Sequence, residues 1–208
     1  MTLHSLSHAR TAGIWSTVVV ALLCPVPLSA TRSEQPTIPR VRANSDALIA
    51  ALRRPASSAV RSSNDMIVAL LLDGVRDSST FSHLIQTIEQ TDGIVYIEPG
   101  TCHRGSDKLR ACLVNEIIAA GGRRYLRILV DIRKDPVELT GSIGHELKHA
   151  VEILSDRSVT TSARLLALYQ NEERNPARSY ETTAAIDAGS SVVAEISASR
   201  KHVVDRHH

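Results

Sequence analysis

The chain has 208 residues, with 24 Lys+Arg against 22 Asp+Glu, a formal net charge of +2 and only 3% aromatic residues. That length suits one domain with a buried core, plus tails. Charges of both signs are interspersed, which excludes a basic nucleic-acid face, and the scarcity of aromatics excludes a stacking platform for single strands.

Residues 1–30 read as a secretory signal peptide. His4, His8 and Arg10 precede the apolar run Ile14 to Leu23, which ends at Pro25, Pro27 and the small pair Ser29-Ala30. This is the basic, apolar and small-residue order of an export signal, with cleavage expected after Ala30. The run is too short, and too soon broken by proline, to span a bilayer, so the mature chain is expected to be secreted or periplasmic and off the membrane. Competing readings are an uncleaved anchor and, more weakly, a lipoprotein at Cys24. Export leaves Cys102 and Cys112, an even pair that reads as a disulfide in an oxidising compartment. On the loop-entropy model such a short loop stabilises by about 2–3 kcal/mol.

Residues 31–45, with Pro36 and Pro39 and no apolar face, read as a linker or disordered arm. The main domain is expected over 46–198. A short helix is expected from Asp46 to Arg54, then a loop over 55–63. "DMIVALLLDGV" from Asp65 favours a helix over a strand because Asn64 can cap it and Leu, Met and Ala are helix formers. Phe81, Leu84, Ile85 and Ile88 recur at helical spacing, predicting a helix over 79–90. "IVYIE" (94–98) predicts a strand, and a helix is expected over 107–119, halted by Gly121-Gly122. The strand 124–132 alternates Tyr125, Arg127, Leu129 and Asp131 against Leu126, Ile128, Val130 and Ile132. Pro136 can open the next helix, which runs to Ser155. Two more helices are expected over 157–171 and 177–198, followed by a polar tail over 199–208.

The helix opened by Pro136 carries "GHELKHAVE". Four positions along an α-helix turn through roughly 400°, so His145 and His149 project from one face about 6 Å apart. Two imidazoles so placed can grip one zinc ion, and Glu146, about 100° round the helix, can act as a base on water beside the metal without ligating it. In a chain of this composition the H-E-x-x-H pattern is expected by chance roughly 0.02 times. The ordinary alternative is a solvated histidine pair on an amphipathic helix.

A catalytic zinc takes a third protein ligand. Glu138 precedes the pair by two turns and points the wrong way along the helix. Glu152 shares the histidine face but stands a further turn on, which suits a supporting or surface carboxylate better than a ligand. Glu172 and Glu173 fall in a polar, loop-like stretch. Glu181, in "SYETTAAIDAG", opens a helix whose small neighbours Ala184 and Ala185 permit close packing, and it is the expected third ligand. For an oxyanion donor the candidates are Tyr180, Tyr169 and His202, with Tyr180 the nearest guess.

With His145, Glu146, His149 and Glu181 in this order, the chain resembles the zincin metallopeptidases in their glutamate-ligand, thermolysin-like division, as a small exported bacterial form. The resemblance implies an α+β, zincin-like fold, a short sheet packed on the motif helix, and an edge strand that pairs with an extended peptide. It implies zinc-dependent hydrolysis of peptide or protein substrates, with Glu146 as base. The second reading is a non-catalytic metal-binding or interaction protein on a degenerate scaffold. That division places an Asp four residues after the ligand Glu to buttress a histidine. Here that place is Ala185, with Asp187 two further on, so the support of the histidines is left open.

Overall fold

The computed structural model describes residues 39–54, 57–104, 106–171 and 181–205. The expected signal segment, residues 1–30, lies outside them, as does 31–38 of the arm. The remainder of the arm is helical: α1 spans Pro39–Leu52, starting ahead of the expected Asp46. Proline suits a first helical position because its missing N–H would have no partner there.

The loop expected over 55–63 contains a strand, β1 (Val60–Arg61), which pairs with Val95 and Tyr96 further along the chain. Helices α2 (Asp65–Asp77) and α3 (Ser79–Glu89) follow where their periodicity predicts them. Asn64 caps α2 by accepting from Ile67 N at 3.1 Å. Both helices bury their apolar faces, Ile67, Leu71, Phe81, Ile85 and Ile88 each being fully inaccessible or nearly so.

Strand β2 (Gly93–Pro99) forms as expected, but the helix expected over 107–119 does not exist. After β3 (Cys102–Arg104), three short strands take its place: β4 (Asp107–Leu109), β5 (Ala111–Leu113) and β6 (Ile118–Ala120). They lead into β7 (Arg123–Val130), which runs parallel to β2. β5 and β6 line the other edge of β7, antiparallel to it. Local propensity loses here because the backbone groups along β7 need partners on both edges. Gly121 and Gly122, at φ 58° and 73°, turn the chain from Ala120 back to Arg123 in a two-residue hairpin instead of stopping a helix. β3 and β4 form a separate hairpin, and the Cys102–Cys112 disulfide, as expected, ties it to β5.

The main sheet has the order β1-β2-β7-β5, with β6 also on β7. With six helices and a mixed sheet the described chain is α+β. One sheet face, through Val95, Ile97, Leu126, Ile128 and Val130, is buried, while Tyr96 and Tyr125 stack on the other at 6.5 Å. Residues 136–155 form α4 (Pro136–Ser155), with Asp135 accepting from Val137 N and Glu138 N at its start. α5 (Ser162–Asn171) and α6 (Thr183–Asp205) complete the described fold. α6 passes through most of the expected polar tail, as far as Asp205.

α4 lies between the sheet side and α6. It crosses α6 where glycine meets glycine: a Cβ on Gly189 would stand 3.1 Å from both Gly141 O and His145 Cβ. Of the alanines expected to permit close packing, Ala185 is buried and Ala184 is exposed. The close approach itself is made by glycines.

α6 is also fastened to α3. Glu195 accepts from Ser78 Oγ (2.6 Å), Thr80 Oγ1 (2.7 Å), Thr80 N (3.0 Å) and Ser79 Oγ (3.1 Å), a carboxylate at a helix N-terminus. Burial alone would raise its carboxyl, but these donors hold it below the ordinary value. A depressed folded pKa means the contribution is present above the unfolded pKa and lost as pH falls through the folded one. Glu195→Gln should therefore cost about 1 kcal/mol at pH 7. In urea titrations the gap from wild type should narrow below the ordinary carboxylate range; a gap that is constant with pH would contradict this account.

Candidate metal centre

α4 presents the motif as the helical spacing dictates. His149 Nε2 stands 3.2 Å from His145 Nε2, so the two imidazoles turn the same nitrogen toward one point. Glu181 sits in the two-residue lead into α6, just ahead of its first residue, and brings Oε2 to 3.4 Å from His145 Nε2. The three donor atoms lie within 4.8 Å of one another, and this group could hold a metal ion. Tetrahedral zinc with donors at about 2.0–2.1 Å separates each donor pair by roughly 3.3 Å. The separations of His149 Nε2 and Glu181 Oε2 from His145 Nε2, 3.2 and 3.4 Å, match that edge, and the trio as a whole spans no more than 4.8 Å. The donor set, two imidazole nitrogens and one carboxylate, also suits zinc.

Glu146 occupies the flank. Its Oε1 is 3.9 Å from His145 Nε2, and its Oε2 accepts from Leu113 N at 2.8 Å. That amide belongs to the free edge of β5. Arg110 O accepts from Asp131 N and Val114 N donates to Arg127 O, so strand alternation turns Ala111 and Leu113 away from β7. β5, from the segment read as helical, is thus an edge strand of the sheet beside Glu146.

Two chambers meet at the site, both lined by Glu146 and Glu181. The larger, about 690 Å³, extends past Gly141, Ser142 and Gly189 toward Lys108 and Lys134. The smaller, about 430 Å³, is walled by Cys102, Cys112, Leu113 and Tyr169. The disulfide therefore braces a wall of the site as well as the loop.

Of the candidate oxyanion donors, Tyr180 lies outside the described residues, and so do Glu172 and Glu173. His202 is exposed near the end of α6 and lines neither chamber. Tyr169, on α5, is nine-tenths buried and sets its ring edge-on to His149 at 5.9 Å. Glu138 pairs with Arg110 at 3.5 Å on the chamber rim.

Sequence reasoning left the support of the histidines open, and the structure supplies a carboxylate from the motif helix itself. Glu152 Oε2 lies 3.1 Å from His149 Nδ1, and its Oε1 accepts from Thr182 Oγ1 at 2.8 Å. Burial alone would raise the Glu152 carboxyl; the His149 ring and the Thr182 hydroxyl outweigh that and hold it low. Asp187 is exposed on α6. The signal available in the sequence was the helical spacing from His149 to Glu152, combined with a hydroxyl residue directly after Glu181.

No protein-family model, curated protein or solved structure matches this chain.

Proposed function

We propose that the protein is a zinc-dependent, zincin-like metallopeptidase acting outside the cytoplasm. The observation that carries this reading is the convergence of His145 Nε2, His149 Nε2 and the Glu181 carboxylate within 4.8 Å of one another, with Glu146 alongside. His145, His149 and Glu181 would hold the ion. When bound, zinc supplies Lewis acidity to a carbonyl oxygen and to water.

The chain's own groups do the rest. Glu146 is placed to take a proton from attacking water and to pass it to the leaving amine. The free edge of β5 offers the Ala111 backbone and the Leu113 carbonyl to an extended peptide, the mode of strand addition, beside the Leu113 amide that Glu146 holds. Tyr169, one of the three candidate oxyanion donors, lines the smaller chamber beside Glu146 and Glu181 and is placed to steady a developing oxyanion. The disulfide supports export, because such bonds persist in oxidising compartments. Glu152 at His149 supports the catalytic reading by filling the place of the buttressing Asp that the resemblance puts at Ala185.

The test is zinc affinity measured by chelator competition. Glu181→Ala should weaken binding by at least about tenfold, or roughly 1.4 kcal/mol. The wild-type protein should cleave denatured casein, and a chelator should abolish that cleavage. A Glu181→Ala protein that holds zinc as tightly as wild type would remove Glu181 from the ligand set.

A further inference from the structure

We infer that Glu152 is the positioning residue of this metal centre, one carboxylate that fixes the tautomer of His149 and also anchors the segment carrying Glu181. This rests on the proposed metal reading of the site and concerns how the chain prepares it.

The first half follows from what each atom can donate. An ionised carboxylate only accepts hydrogen bonds, so at 3.1 Å from Glu152 Oε2 the proton of His149 must sit on Nδ1. The lone pair then lies on Nε2, the nitrogen that faces His145 Nε2. His149 is almost fully buried, so no bulk water competes for Nδ1. A helix carries a side chain three residues on to the same face, which is why His149 and Glu152 meet without any help from the rest of the fold.

The second half needs the tertiary structure. Glu152 Oε1 accepts from Thr182 Oγ1 at 2.8 Å, and the same hydroxyl accepts from Ala185 N at 3.0 Å, capping α6. Thr182 is buried and follows Glu181 directly. Its hydroxyl is thus committed in both directions, donating to Glu152 on α4 and accepting at the start of α6. The backbone next to Glu181 is held at a fixed place relative to His149. Lys148 Nζ, 3.9 Å from Glu152 Oε1, adds a nearby positive charge. Two of the three ligands are therefore tied through one side chain before any ion arrives, which lowers the cost of ordering them on binding.

The alternative is that Glu152 is itself a ligand. Its oxygens are engaged by His149 Nδ1 and Thr182 Oγ1, on the far side of the imidazole from Nε2. A carboxylate there supports the ring; it does not meet the ion.

The experiment uses the full-length, disulfide-bonded protein and two metals. Zinc affinity is measured by chelator competition for wild type, Glu152→Ala, Glu152→Gln and Thr182→Val. Glu152→Ala should weaken zinc about 10- to 100-fold, the usual cost of losing a partner of a ligating histidine. Glu152→Gln should recover part of that loss, because the amide oxygen can still accept from Nδ1 and the amide nitrogen can still reach the Thr182 hydroxyl. Thr182→Val leaves the His149 contact intact and should weaken zinc by a smaller factor. Cobalt(II) absorption separates support from ligation: band positions should be unchanged in Glu152→Ala, since the donor set is the same. Wild-type zinc affinity in both Glu152→Ala and Thr182→Val would overturn the inference while leaving the metal site standing. A shifted cobalt spectrum in Glu152→Ala would overturn it in favour of ligation. A wild-type chain that takes up neither metal defeats the metal reading itself, and this inference with it. Should Glu152→Ala fail to fold, Glu152→Gln and Thr182→Val carry the test.

Discussion

Glu146→Gln should leave zinc at one ion per chain and lower peptide hydrolysis by about 100- to 10,000-fold, the range a general base contributes. Glutamine keeps the length and volume of the side chain, and its amide oxygen can still accept from Leu113 N, so β5 and the chamber walls should stay in place. What disappears is the carboxylate proposed to take the proton from water. His145, His149 and Glu181 are untouched, and so is the Glu152 contact behind His149. Metal analysis and cleavage assays on the same preparation separate the two roles. A variant that loses zinc would make Glu146 a ligand or a fold determinant, and one that keeps full activity would place the base elsewhere.

Arg124→Met is expected to cost about 3–5 kcal/mol of folding stability, the scale for removing one partner of a buried charged network. Arg124 is 2% exposed on the core side of β7. Its guanidinium donates to Asp92 from both Nε and Nη2, and to Ile153 O (3.2 Å), Leu154 O (2.7 Å), Asp156 O (2.7 Å) and Val159 O (3.3 Å). These carbonyls lie at and just beyond the end of α4, where the helix leaves acceptors unpaired and the dipole is negative. The arginine is therefore the C-cap of the motif helix, supplied by the sheet. It also holds the Asp92 carboxyl below its ordinary value. Methionine fills similar space but donates nothing, so the carbonyls and Asp92 are left facing an apolar stem. Denaturant titration should show the loss directly, with a fall in Tm of roughly 10 °C for a domain of this size. A change under about 1 kcal/mol would mean that water replaces the guanidinium at no net cost.

Several features were legible from the chain alone because their causes are local. The helical spacing of His145 and His149, the Asn64 cap, Pro136 opening α4 and the alternation along 124–130 each depend on neighbours a few residues away. The α+β class, the Cys102–Cys112 pairing and Glu181 as the third metal-site residue also agree with the structure. The helix expected over 107–119 shows the opposite case. β4, β5 and β6 are three residues each, too short to declare themselves, and β5 and β6 are strands only because β7 lies beside them. With that segment misread, the edge amide that holds Glu146 could not be foreseen.

Sequence by itself determined the donor types, the pair geometry on α4 and the disulfide, since helix pitch and cysteine count need no knowledge of distant contacts. Only the tertiary structure decided what those groups face. It placed Glu181 against His145 through the crossing of α4 and α6 at Gly141 and Gly189, set Leu113 N on Glu146, and turned Arg124 into the core. The fate of Glu152 combines both levels. Its reach to His149 is helical spacing, whereas its reach to Thr182 exists only because α6 begins where it does. Hydrogen bonds and metal sites depend on tenths of an ångström between segments far apart in the chain, and the packing of those segments sets that distance.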